Sequence, residues 1–271
     1  MKIFKLFILL FIFALHVNAK DYANGQVAIL EFDKNGSVEL LRAGKIVNLN
    51  SHPTNSSKLI ALVPISYYEK NNITLTKIEN GKLFDEIIEV KQKAYKKETL
   101  SVDSSKVNPP LNMQERIAVE LKEAKAIYAT YTNKRYWNSK FLLPMNSTIT
   151  SEYGNARVYN GELKSYHSGT DFRASVGTPI FAVNDGRVVL VKDRYYAGLS
   201  VIVDHGEGVY TTYFHLSKTN VQPGDVVKKS ELLGLSGDSG RVTGPHLHFG
   251  IVVGGISIDP MQFINDINYL F

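Results

Sequence analysis

The sequence contains no cysteine among its 271 residues, and this absence excludes several classes of site. Disulfide frameworks, thiolate metal sites and cysteine nucleophiles are all ruled out. Long basic runs are also missing and the formal net charge is only +5, which argues against a nucleic-acid partner because such proteins cluster Lys and Arg on one face. A metal ion would need His, Asp or Glu ligands, so the seven histidines are the first residues of interest.

Only one long apolar run is present, and it lies at the N-terminus. Lys2 and Lys5 precede an apolar stretch over residues 6–15, and residues 17–19 (Val-Asn-Ala) supply the small side chains that a signal peptidase needs. The run has about half the roughly 20 residues that span a bilayer. The sequence therefore predicts a signal peptide over residues 1–19, with an uncleaved anchor as the alternative. We expect a mature chain that lacks a transmembrane segment and is exported to a bacterial periplasm.

The length of the chain favours two domains, and its patterns are typical of a mostly β protein. Residues 20–107 alternate short apolar segments with turn signals, which predicts a small β-sandwich with a regulatory or positioning role. The predicted strands are 27–32, 37–41, 45–49, 59–65, 73–78 and 83–90, separated by the turn pairs Asn35-Gly36, Ala43-Gly44 and Asn80-Gly81. We find no catalytic pattern in this region, and we interpret His52 as a surface histidine.

Residues 108–140 are predicted to form a helical linker. Asn112 can cap a helix, and Glu115 completes a capping-box pattern three residues later. Apolar residues then recur at helical spacing, which predicts one amphipathic helix over residues 112–132. They are Ile117, Leu121, Ala124, Tyr128 and Tyr131. We interpret this stripe as a packing face against a neighbouring domain, with a partner-helix role as the alternative.

Residues 141–271 have the glycine-punctuated pattern of an all-β domain. The predicted strands are 181–183, 186–191, 200–204, 209–214, 231–235 and 246–253. We predict no helix between Ser147 and Ile258. The loops and strand ends of this region contain five of the seven histidines.

Three short patterns in this region could hold a metal ion. His167 and Asp171 are four residues apart with Gly169 between them, so their side chains can converge. His246 and His248 are two apart, which places them on one face of a strand. His215 is the third pattern. A catalytic zinc site has three protein ligands of these kinds and one position for water.

Each pattern also has an ordinary structural interpretation. A single His-x-His pair in a strand is more often a surface or packing feature, and His205 before Gly206 is interpreted as capping a turn. Finding the three patterns together in one exported, cysteine-free domain favours a zinc hydrolase. Spacing alone leaves that interpretation and purely structural histidines both open.

The segment 149–260 resembles the catalytic domain of the lysostaphin-like, or LytM-type, zinc metallopeptidases. The matching stretches are 149–154 (ITSEYG), 166–172 (YHSGTDF), 177–180 (GTPI), 203–206 (VDHG), 212–216 (TYFHL), 237–240 (GDSG) and 243–249 (TGPHLHF). The resemblance implies that His167, Asp171 and His248 hold one zinc ion per chain. It implies that His215 and His246 position the water and stabilise the oxyanion.

One departure from the family pattern precedes these residues. The family often has an aromatic-Gly-x-Arg run, whereas Asn155 and Ala156 separate Gly154 from Arg157 in this sequence. No residue of the implied ligand set is affected.

The resemblance also implies a substrate class. Periplasmic relatives cut the D-alanyl crosslinks between peptidoglycan stem peptides, so we expect a D,D-endopeptidase, with D,D-carboxypeptidase activity as a second reaction. Such enzymes contribute to cell-wall remodelling and cell shape. The alternatives are a catalytically silent adaptor that activates a cell-wall amidase, and a wall-binding module. We expect a monomer that binds no nucleic acid.

Overall fold

The computed structural model describes residues 21–34, 36–161 and 163–271, without the side chain of Leu163. The predicted signal peptide lies outside the described residues. Within them the chain is mostly β, as the sequence predicts, with two α-helices. No helix in the described part is long and apolar enough to cross a bilayer.

The N-terminal region forms short strands joined by tight turns. Its strands are β1 (Tyr22–Ala23), β2 (Val27–Asp33), β3 (Val38–Arg42), β4 (Lys45–Ile46), β5 (Asn50–Ser51), β6 (Lys58–Pro64), β7 (Ile73–Glu79), β8 (Lys82–Ile88), β9 (Val90–Lys91) and β10 (Lys97–Leu100). Asn80 and Gly81 have φ values of 48° and 76°, and Ala43 and Gly44 have 49° and 75°. Positive φ at both central residues is the signature of a two-residue hairpin turn, so these two predicted turns are confirmed. The third predicted turn, Asn35-Gly36, includes Asn35, which is not among the described residues.

Strand β6 is apolar from Leu59 to Pro64, and both faces of its central residues are buried. It lies between β2 and β5 in one sheet, and a second sheet has the order β4-β3-β7-β8. Ala61 and Val63 face the core between these two sheets, whereas Ile60 and Leu62 face the large core of the C-terminal half. Strands buried on both faces are typically continuous apolar runs. The sandwich is therefore packed directly onto the C-terminal half.

Helix α1 (Leu111–Ala129) confirms the predicted helix, but the predicted cap is wrong. The helix begins after Pro110, and no side chain caps its N-terminus. Asn112 already lies within the first turn and therefore cannot occupy the capping position. Near the C-terminal end of the helix, Ile127 and Tyr128 pack on a small apolar cluster of the C-terminal half.

The C-terminal half is built on one large sheet. Its strands are β11 (Ile149–Ser151), β12 (Ala156–Tyr159), β13 (Leu163–Tyr166), β14 (Thr170–Arg173), β15 (Pro179–Phe181), β16 (Gly186–Arg194), β17 (Gly198–Gly206), β18 (Val209–Thr219), β19 (Val226–Val227), β20 (Leu232–Ser236), β21 (His246–Val253) and β22 (Ile256–Ile258). The central order is β11-β14-β21-β18-β17-β16-β19. The strands that carry the candidate metal ligands and His215 are therefore neighbours in the sheet.

A second helix, α2 (Pro260–Ile267), follows the last strand and was not predicted. The Asp259 carboxylate accepts hydrogen bonds from the backbone N–H groups of Met261 and Gln262, and Pro260 occupies the first helical position. These are favourable start signals for a helix. The Gln262 side chain bonds both the N–H and the carbonyl of Val27, at 2.9 and 3.0 Å, and so joins α2 to the N-terminal sandwich.

One strand from the N-terminal region belongs to a sheet of the C-terminal half. Strand β10 pairs in parallel with β12, and β12 pairs with β13. Glu98 lies opposite Arg157 in this register. This pairing brings an acidic side chain from residues 97–100 close to the strands that carry the histidines.

Candidate active site

The sheet register brings the candidate ligands together. Asp171 in β14 lies directly opposite His248 in β21, so their side chains leave the sheet side by side. His167 approaches from the loop before β14, and this approach depends on Gly169. A Cβ atom at Gly169 would lie 2.5 Å from the carbonyl oxygen of Phe249 and 2.6 Å from His248 Nε2, so the loop can come this close only with glycine.

The three predicted ligand residues form a compact triangle. His167 Nε2, Asp171 Oδ1 and His248 Nδ1 lie 2.9 Å from one another in all three pairs. The three residues are 1%, 5% and 7% exposed. Three atoms at this separation can bind one ion at the bond lengths of about 2.0–2.2 Å that zinc adopts. Two imidazoles and one carboxylate also match the ligand types of a catalytic zinc site, so the group can hold a metal ion.

Each side chain of the triangle is oriented by a neighbour. His167 Nδ1 donates a hydrogen bond to the Glu152 carbonyl at 2.8 Å, which leaves Nε2 unprotonated and directed at the triangle. Arg157 Nη2 donates to Asp171 Oδ2 at 2.7 Å, so only Oδ1 faces the triangle. The His248 ring stacks on Phe214, with ring centroids 5.3 Å apart. Partners of this kind fix the orientation of metal ligands.

Arg157 is itself held by a carboxylate from the N-terminal region. Its Nε donates to Glu98 Oε2 at 3.0 Å. Glu98 Oε1 accepts from Ser151 Oγ at 2.8 Å and from Asn155 Nδ2 at 2.6 Å. Asn155, a residue of the departure from the family pattern, therefore supports the same carboxylate. The series Glu98–Arg157–Asp171 links strand β10 to the triangle.

His215 and His246 lie next to the triangle with their ring centroids 4.8 Å apart. His215 Nδ1 donates to the Ser239 carbonyl at 2.7 Å, and His246 Nδ1 donates to the Gly244 carbonyl at 2.8 Å. A carbonyl oxygen can only accept, so both Nε2 atoms are unprotonated when the rings are neutral. His246 Nε2 lies 3.7 Å from Asp171 Oδ1. The structure thus brings together all five predicted site residues.

His215 has an unusual backbone conformation, with a φ of 63°. It lies where the pairing of β17 and β18 shifts register between Leu199 and Val201, which is a β-bulge. Bulges next to active sites re-aim a side chain, and a left-handed non-glycine residue costs about 1–3 kcal/mol. The fold therefore accepts local strain to place this imidazole.

Burial sets the charge states of the site. It lowers the pKa of His215 to about 3, with the neighbouring His246 and His248 acting in the same direction. Burial also lowers the pKa of His248 to about 4. Burial alone would raise the pKa of Asp171, but His167 and His248 outweigh it and hold that pKa well below its ordinary value. Near neutral pH His215 and His248 are therefore neutral and Asp171 is ionised, and a neutral imidazole and an ionised carboxylate are the forms that bind metals.

Of the two remaining interpretations of histidines, the one for His205 was wrong. His205 does not cap a turn: it is fully buried in β17, where Nδ1 donates to the Asp185 carbonyl and Nε2 pairs with the Thr211 hydroxyl, while Asp204 accepts from Gly206 N. His52 lies in a surface loop with its side chain 8% exposed, and its Nδ1 accepts from backbone N–H groups of the residues that follow it.

The triangle borders two cavities of about 260 and 270 Å³. Ile117 and Leu121 of helix α1 line the first cavity. These two residues of the predicted packing stripe therefore face a cavity, and Leu121 is 49% exposed. Leu100 and Val102, which follow Glu98 in the chain, line the second cavity. Residues that precede the C-terminal half in the sequence therefore line both cavities.

The comparisons with known proteins agree with this site. Peptidase family M23 matches residues 165–260. The peptidoglycan DD-endopeptidase ShyA of Vibrio cholerae is 45% identical over 96 residues, which cover 35% of this chain and 22% of ShyA. Lysostaphin of Staphylococcus simulans is 38% identical over 109 residues, which cover 38% of this chain and 22% of lysostaphin. The match therefore spans less than a quarter of either relative.

One solved structure resembles nearly the whole chain. It is the crystal structure of an M23 peptidase candidate from Pseudomonas aeruginosa, with a TM-score of 0.71 and 27% identity. The match covers 90% of this chain and 96% of that one. Because family match, fold and site residues coincide within the C-terminal half, residues 165–260 are assigned as a peptidase family M23 domain of the LytM type.

Proposed function

We propose that this protein is a zinc-dependent peptidoglycan hydrolase with one zinc ion per chain. His167, Asp171 and His248 would hold the ion. The observation that carries the proposal is the 2.9 Å triangle of ligand atoms beside two further imidazoles. Zinc bound there would polarise a carbonyl group and lower the pKa of water to about 7, which amide hydrolysis needs.

His215 and His246 supply the proton chemistry. Each has an unprotonated Nε2 next to the triangle, so one imidazole can take a proton from the water that attacks the amide carbonyl carbon. The protonated Nε2 then donates a hydrogen bond to the oxyanion and passes its proton to the leaving amine as the C–N bond breaks. The hydrogen bonds from Nδ1 to backbone carbonyls keep both rings in the required orientation.

The proposed substrates are the stem peptides of peptidoglycan. The D-alanyl crosslink between two stem peptides is the bond cut, and removal of a terminal D-alanine is a second reaction of the same site. The ShyA relative is named as a DD-endopeptidase, and the two cavities can take peptide on both sides of the triangle. Cleavage of this bond remodels the wall and contributes to cell shape.

The N-terminal sandwich is proposed to position the active site, and export to the periplasm would follow from the signal peptide over residues 1–19. The contact of Glu98 with Arg157 supports the positioning role. Mass spectrometry of the protein from a periplasmic extract tests the export step. A mature N-terminus at Lys20 is expected, and retention of residues 1–19 would contradict cleavage.

A muropeptide profile tests the activity directly. Purified sacculi are incubated with the mature protein and zinc, with a chelated sample and a His246→Ala sample as controls. Loss of crosslinked dimers and gain of monomers is expected with the zinc-loaded unsubstituted protein, far more slowly with His246→Ala, and not in the chelated sample. Shortened pentapeptides would reveal the second reaction. An unchanged profile at full zinc occupancy would contradict the proposal. Glycan strands stripped of peptide only when an amidase is added would favour the adaptor instead.

A further inference from the structure

Two arginines line the first cavity without an acidic partner. Arg194 and Arg241 border this cavity together with His215 and His248. Neither arginine forms an ion pair within residues 21–34, 36–161 and 163–271. The third arginine of the cavity, Arg157, is fully engaged with Asp171 and Glu98. Glu120 also lines this cavity, but its carboxylate is paired with Arg116 and accepts from the Tyr195 N–H. The two arginines without ion pairs therefore leave the cavity with an excess of positive charge.

Arg194 contains a buried donor with no acceptor. Its Nε is among the few buried side-chain nitrogens of the described chain that lack a hydrogen-bond partner. The centre of its guanidinium lies 5.6 Å from the ring of Phe214, which stacks on His248. Leaving a charged donor buried and unsatisfied is unfavourable. Because the protein covers this nitrogen, a ligand in the cavity would be bound by the other guanidinium nitrogens of Arg194, next to the metal site.

Arg241 is held rigidly by aromatic rings instead of by charge. Its guanidinium lies 4.2 Å from the ring centroid of Tyr159 and 4.6 Å from that of Tyr196. Its one side-chain hydrogen bond is a long contact of 3.5 Å to the Lys106 carbonyl. Arg241 also lines the second cavity, so it lies where the two cavities meet. A guanidinium fixed in this way loses little entropy when it binds an anion.

We propose that Arg194 and Arg241 form a subsite for a carboxylate of the peptide substrate, and this inference rests on the proposed function. Guanidinium groups bind carboxylates with paired, charge-assisted hydrogen bonds. Stem peptides carry such groups at their C-terminus and at internal residues, whereas an oligoglycine bridge has no internal carboxylate. The subsite would therefore select charged stem peptides over uncharged crosslinks.

Peptide binding to the chelated protein tests the subsite without turnover. Calorimetry compares a synthetic stem tetrapeptide with free carboxylates, the same peptide amidated only at its C-terminus, and the same peptide amidated only at internal carboxylates. We expect one amidation to weaken binding about tenfold or more, because it removes a charge-assisted pair. The amide that weakens binding identifies which carboxylate is recognised.

Substituted proteins then assign the effect to the two arginines. Arg194→Gln and Arg241→Gln should each reduce the difference between free and amidated peptide to about twofold, as expected when a charge-assisted pair is lost. Arg194→Lys should retain part of it. Arg187→Gln, an exposed arginine that lines neither cavity, should behave as the unsubstituted protein.

Any one of three results would overturn the subsite. All three peptides could bind equally, or the free-carboxylate peptide could fail to bind. The third result is that the Gln variants lose the same amount of affinity for every peptide. Because no metal or hydrolysis is needed, this failure is distinct from failure of the proposed function. Selective binding combined with intact sacculi would refute hydrolysis and leave the subsite standing.

Discussion

The two halves of the chain differ in the kind of residue that each buries. Among the described residues of the N-terminal region 21–107, Asn24 is the only buried polar side chain. The C-terminal half buries many polar and ionisable groups, among them His167, Asp171, Asn184, Asp204, His205, His215 and His248. Such burial costs free energy unless every group is hydrogen-bonded or paired. The fold therefore buries its energetically costly residues in the half that contains the candidate active site.

The N-terminal half also contacts the region around the candidate ligands. Tyr67 stacks on Tyr166, next to His167, with ring centroids 4.0 Å apart. A side chain at Gly154 would collide with the ring of Tyr95. Together with Glu98, these contacts place N-terminal side chains directly behind the candidate ligands. The C-terminal half carries the candidate reactive groups, and these contacts support the positioning role proposed for the N-terminal half.

The largest effect is expected from removing a ligand in the C-terminal half. His248→Ala leaves two of the three ligand atoms, so the protein should lose both its zinc and its hydrolytic activity. Metal analysis after dialysis and the muropeptide assay check this together. Zinc bound at full stoichiometry in the variant would mean that the metal site lies elsewhere, and the difference drawn between the two halves would fail.

A smaller effect is expected from the neighbouring imidazole. His246→Ala leaves the triangle intact, so zinc should be retained while turnover falls by about 10²-fold or more, the usual contribution of general acid–base catalysis. Metal content and single-turnover rates separate the two properties. Loss of zinc equal to that of His248→Ala would contradict the separate roles of His246 and His248.

A third prediction concerns the cost of burying His205. Burial lowers its pKa from 6.5 to about 4, so below pH 6.5 the unfolded chain binds a proton that the folded chain does not. The free energy of unfolding is therefore unaffected by this residue above pH 6.5 and falls by about 3 kcal/mol as the pH drops to 4.

The His205→Asn variant isolates this contribution because asparagine stays neutral throughout. Denaturant unfolding of the chelated protein at several pH values between 4 and 7 should show a steeper loss of stability for the unsubstituted chain. Parallel curves for the two proteins would mean that His205 does not titrate in this way.

The smallest effect is expected from changing a residue of the N-terminal half that contacts the C-terminal half. Glu98→Gln removes the charge that holds Arg157, so zinc affinity should fall by about 10- to 100-fold, as is usual when a residue behind a metal ligand is changed. Competition with a chromogenic chelator measures this affinity. Glu89→Gln, an exposed glutamate of the same region, is the matched control. An unchanged affinity in Glu98→Gln would limit the N-terminal half to a role in packing.

The sequence predicted those parts of the site that depend on local spacing. His246 and His248 share a strand face because of the two-residue period, and His167 approaches Asp171 across a glycine. Glu98 could not be found in this way, because its contact with Arg157 joins residues 59 apart through a parallel strand pair. The sequence around Glu98 carries no signal for such pairing.

The fold was predictable to a similar extent. Most strands and the helix α1 follow from apolar periodicity, whereas the register of β10 with β12 depends on tertiary packing. Helix α2 was missed although Asp259 and Pro260 provide its start signals, because its eight residues are too few for a periodic pattern to be recognised from sequence. The strained backbone of His215 has no sequence signature, since histidine rarely adopts a positive φ.

One zinc ion at the triangle is expected to make the protein a hydrolase. The most direct measurement is to titrate zinc into the chelated protein while following hydrolysis of crosslinked muropeptide dimers. Our account predicts that activity rises in proportion to added zinc and reaches its plateau at one ion per chain. Hydrolysis that persists without zinc, or that is absent when one zinc ion per chain is bound, would contradict it.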